Sequence, residues 1–319
     1  MKFRFHSASF GAVVLLGVAA IWGGTLSFTK DALAYMGVNE FLALRFAVAA
    51  LVLVPFLPRI KKGTITIANT LLSAVLGAVL YGIFYLQSRG LQTVATAATG
   101  FITGTNVVMV PLITLLLFRN RISLRVWSGI IVAVTGLAFV AGRGLFTPMS
   151  GSWLVLMSAF LIAVDIVAVE KLMPSVDAIW LAFIGIASSA VLALAFSFFG
   201  GNTGFAGIKE VTSLEVVVAV LFNGLLGTAF ALWAQNYYQL VVPSAQVAVV
   251  FSTEPIFAAG IAWLFFGGAV TGNVVFGGAL VLSGVMIADQ EAFRYLVSRR
   301  RPEKRVGRRR GMFLRRRGR

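Results

Sequence analysis

Two carboxylates, Asp165 and Glu254, lie inside long apolar stretches of this chain, accompanied by amides, hydroxyls and aromatic rings. A carboxylate at membrane depth is expensive, so the first readings to test are functional: it binds a cation, carries a proton or meets a ligand. The plainer one is a protonated or hydrogen-bonded structural group. Thr96, Thr99, Thr103 and Asn106 follow intervals of three, four and three, which sets them on one helical face. Gln246 and Glu254 share a second face with Val250, and Tyr81 and Tyr85 share a third with Ser88. Trp22, Asn223 and Trp233 stand in other apolar segments. Such a set recognises a small molecule through hydrogen bonds and ring contacts. Threonine and asparagine also serve as interhelical glue worth about 0.6 kcal/mol each, and the rings also pack a bundle or sit at a lipid interface. Arg45, near the end of its segment, reads as a snorkelling or structurally paired cation.

Catalytic chemistry finds little support. The single histidine, His6, precedes the first apolar segment, so no triad and no histidine-based metal site can be assembled, and cysteine is absent. No Gly-rich phosphate loop ending in Lys-Ser/Thr appears. The expectation is no enzyme, no cofactor and no metal.

Hydrocarbon is the solvent that must position these residues. The chain of 319 residues is 59% hydrophobic and 12% charged, with mean hydropathy +0.93, far from a water-soluble domain. A core of about 30 Å needs about 20 apolar residues per helix. Ten candidates follow: 10–28, 41–57, 68–86, 96–118, 126–141, 152–169, 178–199, 214–233, 245–266 and 274–288. The fifth and tenth are the shortest. Of the 27 lysines and arginines, 22 fall on the side that carries both termini, which predicts a multi-pass protein with both ends cytoplasmic. The basic tail over residues 292–319 reads as a topological anchor that attracts anionic lipid head groups, with no nucleic-acid partner.

Landmarks recur between the halves. Gln92 and Gln239 precede the fourth and ninth segments, Pro111 and Pro255 interrupt them, and Gly129/Gly136 return as Gly277/Gly284 with the same spacing. Five helices per half is an odd number, so the second half must enter the membrane from the opposite face. The expected fold is therefore an all-α polytopic membrane protein of ten transmembrane helices in two inverted five-helix repeats, 1–147 and 148–291. Such repeats place a site near the midplane and expose it alternately to either side. Proline removes a donor and clashes with the carbonyl four residues earlier, so Pro111 and Pro255 predict bends near Val107 and Phe251 that could gate the site.

Trp22-Gly23-Gly24, Leu44-Arg45-Phe46, Val110-Pro111, the span from Gly129 to Gly136, and Ser252-Thr253-Glu254-Pro255-Ile256-Phe257 resemble the ten-helix EamA branch of the drug/metabolite transporter superfamily. The stretch from Ala97 to Gly104 running into Val108-Met109-Val110-Pro111 is similar to the YddG-type amino-acid exporters within that branch. The resemblance implies a secondary transporter in the cell inner membrane, and with the scarcity of intramembrane cations it disfavours phosphorylated substrates. Small zwitterions with apolar or aromatic side chains fit best, exported by alternating access. A multidrug or other-solute carrier of the same fold is the alternative, and a non-transporting scaffold or enzyme a third.

Overall fold

The computed structural model describes residues 8–60, 62–119, 122–141, 151–172, 176–199, 213–266 and 271–288. The basic tail lies outside them, as do His6 and the segment joining the two halves. Among the described residues there are helices and no strands. Hydrocarbon supplies no partner for a peptide group, and a helix satisfies its own.

In chain order the helices are α1 (Ala8–Ala32), α2 (Val38–Leu53), α3 (Ile67–Leu91), α4 (Thr96–Gly104), α5 (Asn106–Phe118), α6 (Leu124–Ala141), α7 (Ser152–Leu172) and α8 (Ala178–Phe199). Then come α9 (Leu214–Leu221), a π-helical stretch (Phe222–Phe230), α10 (Ala231–Tyr238), α11 (Ser244–Phe251), α12 (Glu254–Phe266) and α13 (Gly272–Ala288). Among the described residues eight segments are long and apolar enough to cross a membrane. Among these, α4 with α5, α11 with α12, and Leu214–Tyr238 as a whole each count as one. The two shorter apolar helices, Leu124–Phe139 and Gly272–Ala288, fall where the two shortest segments were expected.

Large apolar side chains such as Leu116, Trp153, Trp263 and Phe265 stand exposed on the outside, as a lipid-facing surface requires. Inside, glycine decides how near the backbones come, because hydrocarbon offers no hydrophobic drive between helices and close packing must replace it. The recurring glycine pairs meet each other in the packing of α6 on α13. A Cβ built at Gly129 would lie 2.7 Å from the Gly284 carbonyl oxygen, and one at Gly136 would lie 2.5 Å from that of Gly277. Gly23 sets α1 against α12 in the same way, 2.6 Å from the Ala258 amide nitrogen.

The interruptions of the two proline-bearing segments begin two residues before Val107 and directly after Phe251, close to where the prolines predict bends. The first lies at Thr105, where ψ is −13°, six residues before Pro111, and Pro111 itself stays inside α5. The second lies at Ser252 and Thr253, and Pro255 is the second residue of α12, a first-turn position where a missing N–H costs nothing. Hydroxyls hold both turns. Thr105 Oγ1 donates to Ile102 O at 2.6 Å, Ser252 Oγ to Val249 O at 2.6 Å, and Thr253 Oγ1 to Val250 O at 2.7 Å. Local side-chain bonds of this kind compete with the α-helical ladder and replace it here. Gly100 and Gly104 of α4 face the second turn, where built Cβ atoms would stand in ordinary contact with Pro255 at 3.4 and 3.7 Å.

These contacts predict a sharp contrast between glycines. Gly136→Val is expected to lose about 1–3 kcal/mol of stability through overpacking, read as a lowered midpoint of thermal unfolding in detergent. Gly17→Ala, whose added Cβ meets nothing within 4 Å, is expected to leave the midpoint in place.

Candidate functional site

Helix faces from both halves converge on one internal chamber. From α3 come Leu80, Ile83, Phe84 and Gln87, from α7 Ile162 and Asp165, and from α10 Leu232 and Gln235, each group at helical spacing. Trp22 and Thr25 of α1 complete one wall. Both helix interruptions open onto the chamber: Asn106 is the first residue of α5, and Phe251 and Glu254 flank the turn between α11 and α12. The chamber volume is about 40 Å³, room for a few water-sized groups, so a larger solute needs the helices to part.

Its polar groups divide into those already bonded and those left over. Gln235 Nε2 donates to Asp165 Oδ2 at 3.2 Å, Gln87 Nε2 to Thr103 Oγ1 at 3.3 Å, and Thr25 Oγ1 to Trp22 O at 2.7 Å. Trp22 Nε1 donates to Gly227 O at 2.9 Å, and its ring meets Phe251 edge to face with centroids 4.8 Å apart. Asn106 is 2% exposed and its Oδ1 has no hydrogen-bond partner. Glu254, 6% exposed, lines the same space.

Behind the wall lies a buried arginine of α2. Arg45 is fully buried, not snorkelling: Nε donates to Thr228 Oγ1 at 2.7 Å and Nη2 to Gly227 O at 3.3 Å, while the guanidinium sits 4.0 Å from the centre of the Phe84 ring. Its partners belong to the π-helical stretch. Thr228 Oγ1 in turn donates to Asn223 O at 2.8 Å, a five-residue step, so the arginine and Trp22 together brace the wide turns of that helix.

Of the residues expected to bind a ligand, the structure brings Trp22, Asn106 and Glu254 together in the chamber. Thr103 stands just outside as the partner of Gln87. Tyr81 and Tyr85 lie on the neighbouring face of α3 and stack, 5.6 Å apart, in a separate groove of about 470 Å³ with Asn39, Arg89 and Phe196. Asn223 is consumed within the π-helical stretch, its amide donating to Ala219 O at 2.9 Å and its Oδ1 accepting from Thr29 at 3.2 Å. Trp233 stacks on Tyr237, and Gln246 donates to Ala288 O at 3.3 Å. Pro111 and Pro255 contribute nothing to the chamber lining. Sequence reasoning missed Thr25, Phe84, Gln87, Gln235 and Phe251, and it raised Asp165 without joining it to Glu254. Glutamine inside a charge-poor span was the available signal.

A helical bundle with lipid-facing flanks and a chamber bearing polar side chains among its helices fits a multi-pass membrane transporter. Comparison with known proteins agrees: the model of the EamA-like transporter family matches residues 9–142 and again residues 149–288. The chain belongs to that family. It is 29% identical over 279 residues to an uncharacterized transporter of Archaeoglobus fulgidus, covering 85% of this chain and 83% of the other. It is 25% identical to the uncharacterized transporter YoaV of Bacillus subtilis, covering 86% and 94% respectively. A solved crystal structure shares the fold with a TM-score of 0.71 at 17% identity, over 89% of this chain and 98% of that one.

The bracing of the π-helical stretch is testable. Arg45→Ala strips Thr228 and Gly227 of a buried donor and opens a hole beside Phe84, so a loss of about 1–3 kcal/mol is expected. A lower unfolding midpoint and a reduced monodisperse fraction on gel filtration would register it.

Proposed function

We propose that this chain is a secondary transporter of the cell inner (plasma) membrane that exports small metabolites, chiefly amino acids with apolar or aromatic side chains. It works by alternating access between two inverted five-helix repeats, residues 1–147 and 148–291, with both termini cytoplasmic. The observation that carries this reading is the chamber between the halves, walled by rings and aliphatic groups and fitted with unused polar groups.

The packing pattern supports the repeat. Exchange α1 for α7, α2 for α8, α3 for the 214–238 segment and α6 for α13, and the main contacts map onto one another: α1 on the 214–238 segment becomes α7 on α3, while α2 on α8 and α6 on α13 map onto themselves. The double match of the family model supports the same division. Alternation follows if the turns at Thr105 and at Ser252–Thr253 act as gates on either side of the chamber, with Pro111 and Pro255 keeping each ladder weak nearby. One observation favours a cationic multidrug substrate as the second reading: two carboxylates and no basic side chain line the chamber.

Cells overexpressing the protein and loaded with labelled amino acids or cationic dyes distinguish the two. Export of the amino acids supports the first reading, and export of the dyes alone replaces it with the second. Asn106→Leu removes a binding amide and is expected to cut export about tenfold with normal protein levels, and unchanged export would remove Asn106 from the site.

The gates have their own test. The natural chain lacks cysteine, so one introduced in the chamber is the sole target for a membrane-impermeant thiol reagent. Pro111→Ala and Pro255→Ala are expected to keep the fold, slow transport and shift labelling toward opposite sides of the membrane. Wild-type transport and labelling in both would dismiss the gates.

A further inference from the structure

We infer that the chamber is a site for a substituted ammonium group, held by Glu254, Asp165 and Asn106, and that it gives a substrate carboxylate no cationic counterpart. The inference rests on the transport reading only for the identity of the cargo. The recognition chemistry stands on the chamber itself.

Both carboxylates border the same 40 Å³. A carboxylate in a poorly hydrated space carries a desolvation cost, and a cationic ligand beside it offsets that cost. Asp165 has a single protein donor, Gln235, on one oxygen. Independently, the Asn106 amide oxygen is buried with no partner, which costs free energy unless something else donates to it. An ammonium carries several N–H donors and no acceptor, matching two carboxylates and an amide oxygen. The rings of Trp22 and Phe251 present π faces or edges beside it, and cations favour the faces.

An anionic end finds no cation to meet it. The lining contains no lysine, arginine or histidine. Arg45 is turned onto Phe84 and the π-helical stretch and is not among the residues that border the chamber. Near the two turns the backbone N–H of Val108 is taken by Thr105 O and those of Ile256 and Phe257 by Thr253 O. A zwitterion would therefore enter with its ammonium inward and its carboxylate toward whichever side is open.

Three probes with one carbon skeleton test this on the purified full-length protein: phenylalanine, phenylalaninamide with its carboxylate masked, and N-acetylphenylalanine with its amine masked. Ligand-dependent thermal stabilisation reads affinity directly. Phenylalaninamide is expected to saturate at a concentration about tenfold or more below that of N-acetylphenylalanine, and Glu254→Gln and Asp165→Asn are each expected to abolish that preference. Equal or tighter binding of N-acetylphenylalanine, no stabilisation by phenylalaninamide at millimolar concentration, or a preference that survives in both folded variants overturns the inference. Should either variant fail to fold, the wild-type comparison decides alone. Counterflow of labelled amino acids in proteoliposomes separates the two readings. Uptake without amine preference keeps the transport reading and overturns this one, whereas amine preference without amino-acid uptake supports this one and removes amino acids as the cargo.

Discussion

Hydrocarbon meets no polar group, and the placement of Arg45 shows how far that single constraint reaches. A guanidinium taken out of water must be met by protein on every side. Here Thr228, the Gly227 carbonyl and the Phe84 face meet it without a carboxylate. The cation ties α2 to the π-helical stretch, the stretch presents Gly227 O to Trp22, and Trp22 forms a wall of the chamber. The same rule explains why Ser252, Thr253 and Thr105 spend their hydroxyls on carbonyls loosened at the two turns.

The second constraint is that lipid tails are as apolar as leucine, so contact area and close approach must hold helices together. Gly129, Gly136, Gly277 and Gly284 turn two short helices into one tightly packed pair, with Val281 and Ala288 filling the seam. That pair lies away from the chamber lining. Rigid packing there and loosened ladders at the chamber divide the bundle into parts that hold and parts with weaker backbone bonding.

The chamber itself departs from what makes a membrane interior stable. Asn106 Oδ1 goes unbonded and two carboxylates border a small volume, while Asn223 spends both atoms of its amide in hydrogen bonds. Buried Glu40 Oε2, Thr114 Oγ1 and Gln239 Oε1 also lack partners among the described residues, so what sets the chamber apart is that its unbonded oxygen borders an open space beside two carboxylates.

Composition alone determined that this is a helical membrane protein, because a mean hydropathy of +0.93 leaves no soluble alternative and spans must be about 20 residues long. The glycine pairs were legible as well, since identical spacing in both halves marks a contact that only a missing Cβ permits. Which face of α3 meets the chamber was not legible. In lipid the outward face is as apolar as the buried one, so the polar-versus-apolar contrast that orients a soluble helix vanishes, and Tyr81 and Tyr85 drew attention away from Phe84 and Gln87. Nor could sequence separate spent amides from free ones, or show that the hydroxyls of Thr105, Ser252 and Thr253 would hold the breaks that the prolines predicted nearby. Those outcomes depend on which neighbour reaches which hydrogen bond first. Distances between helices decide that, and distances exist only once the bundle has packed.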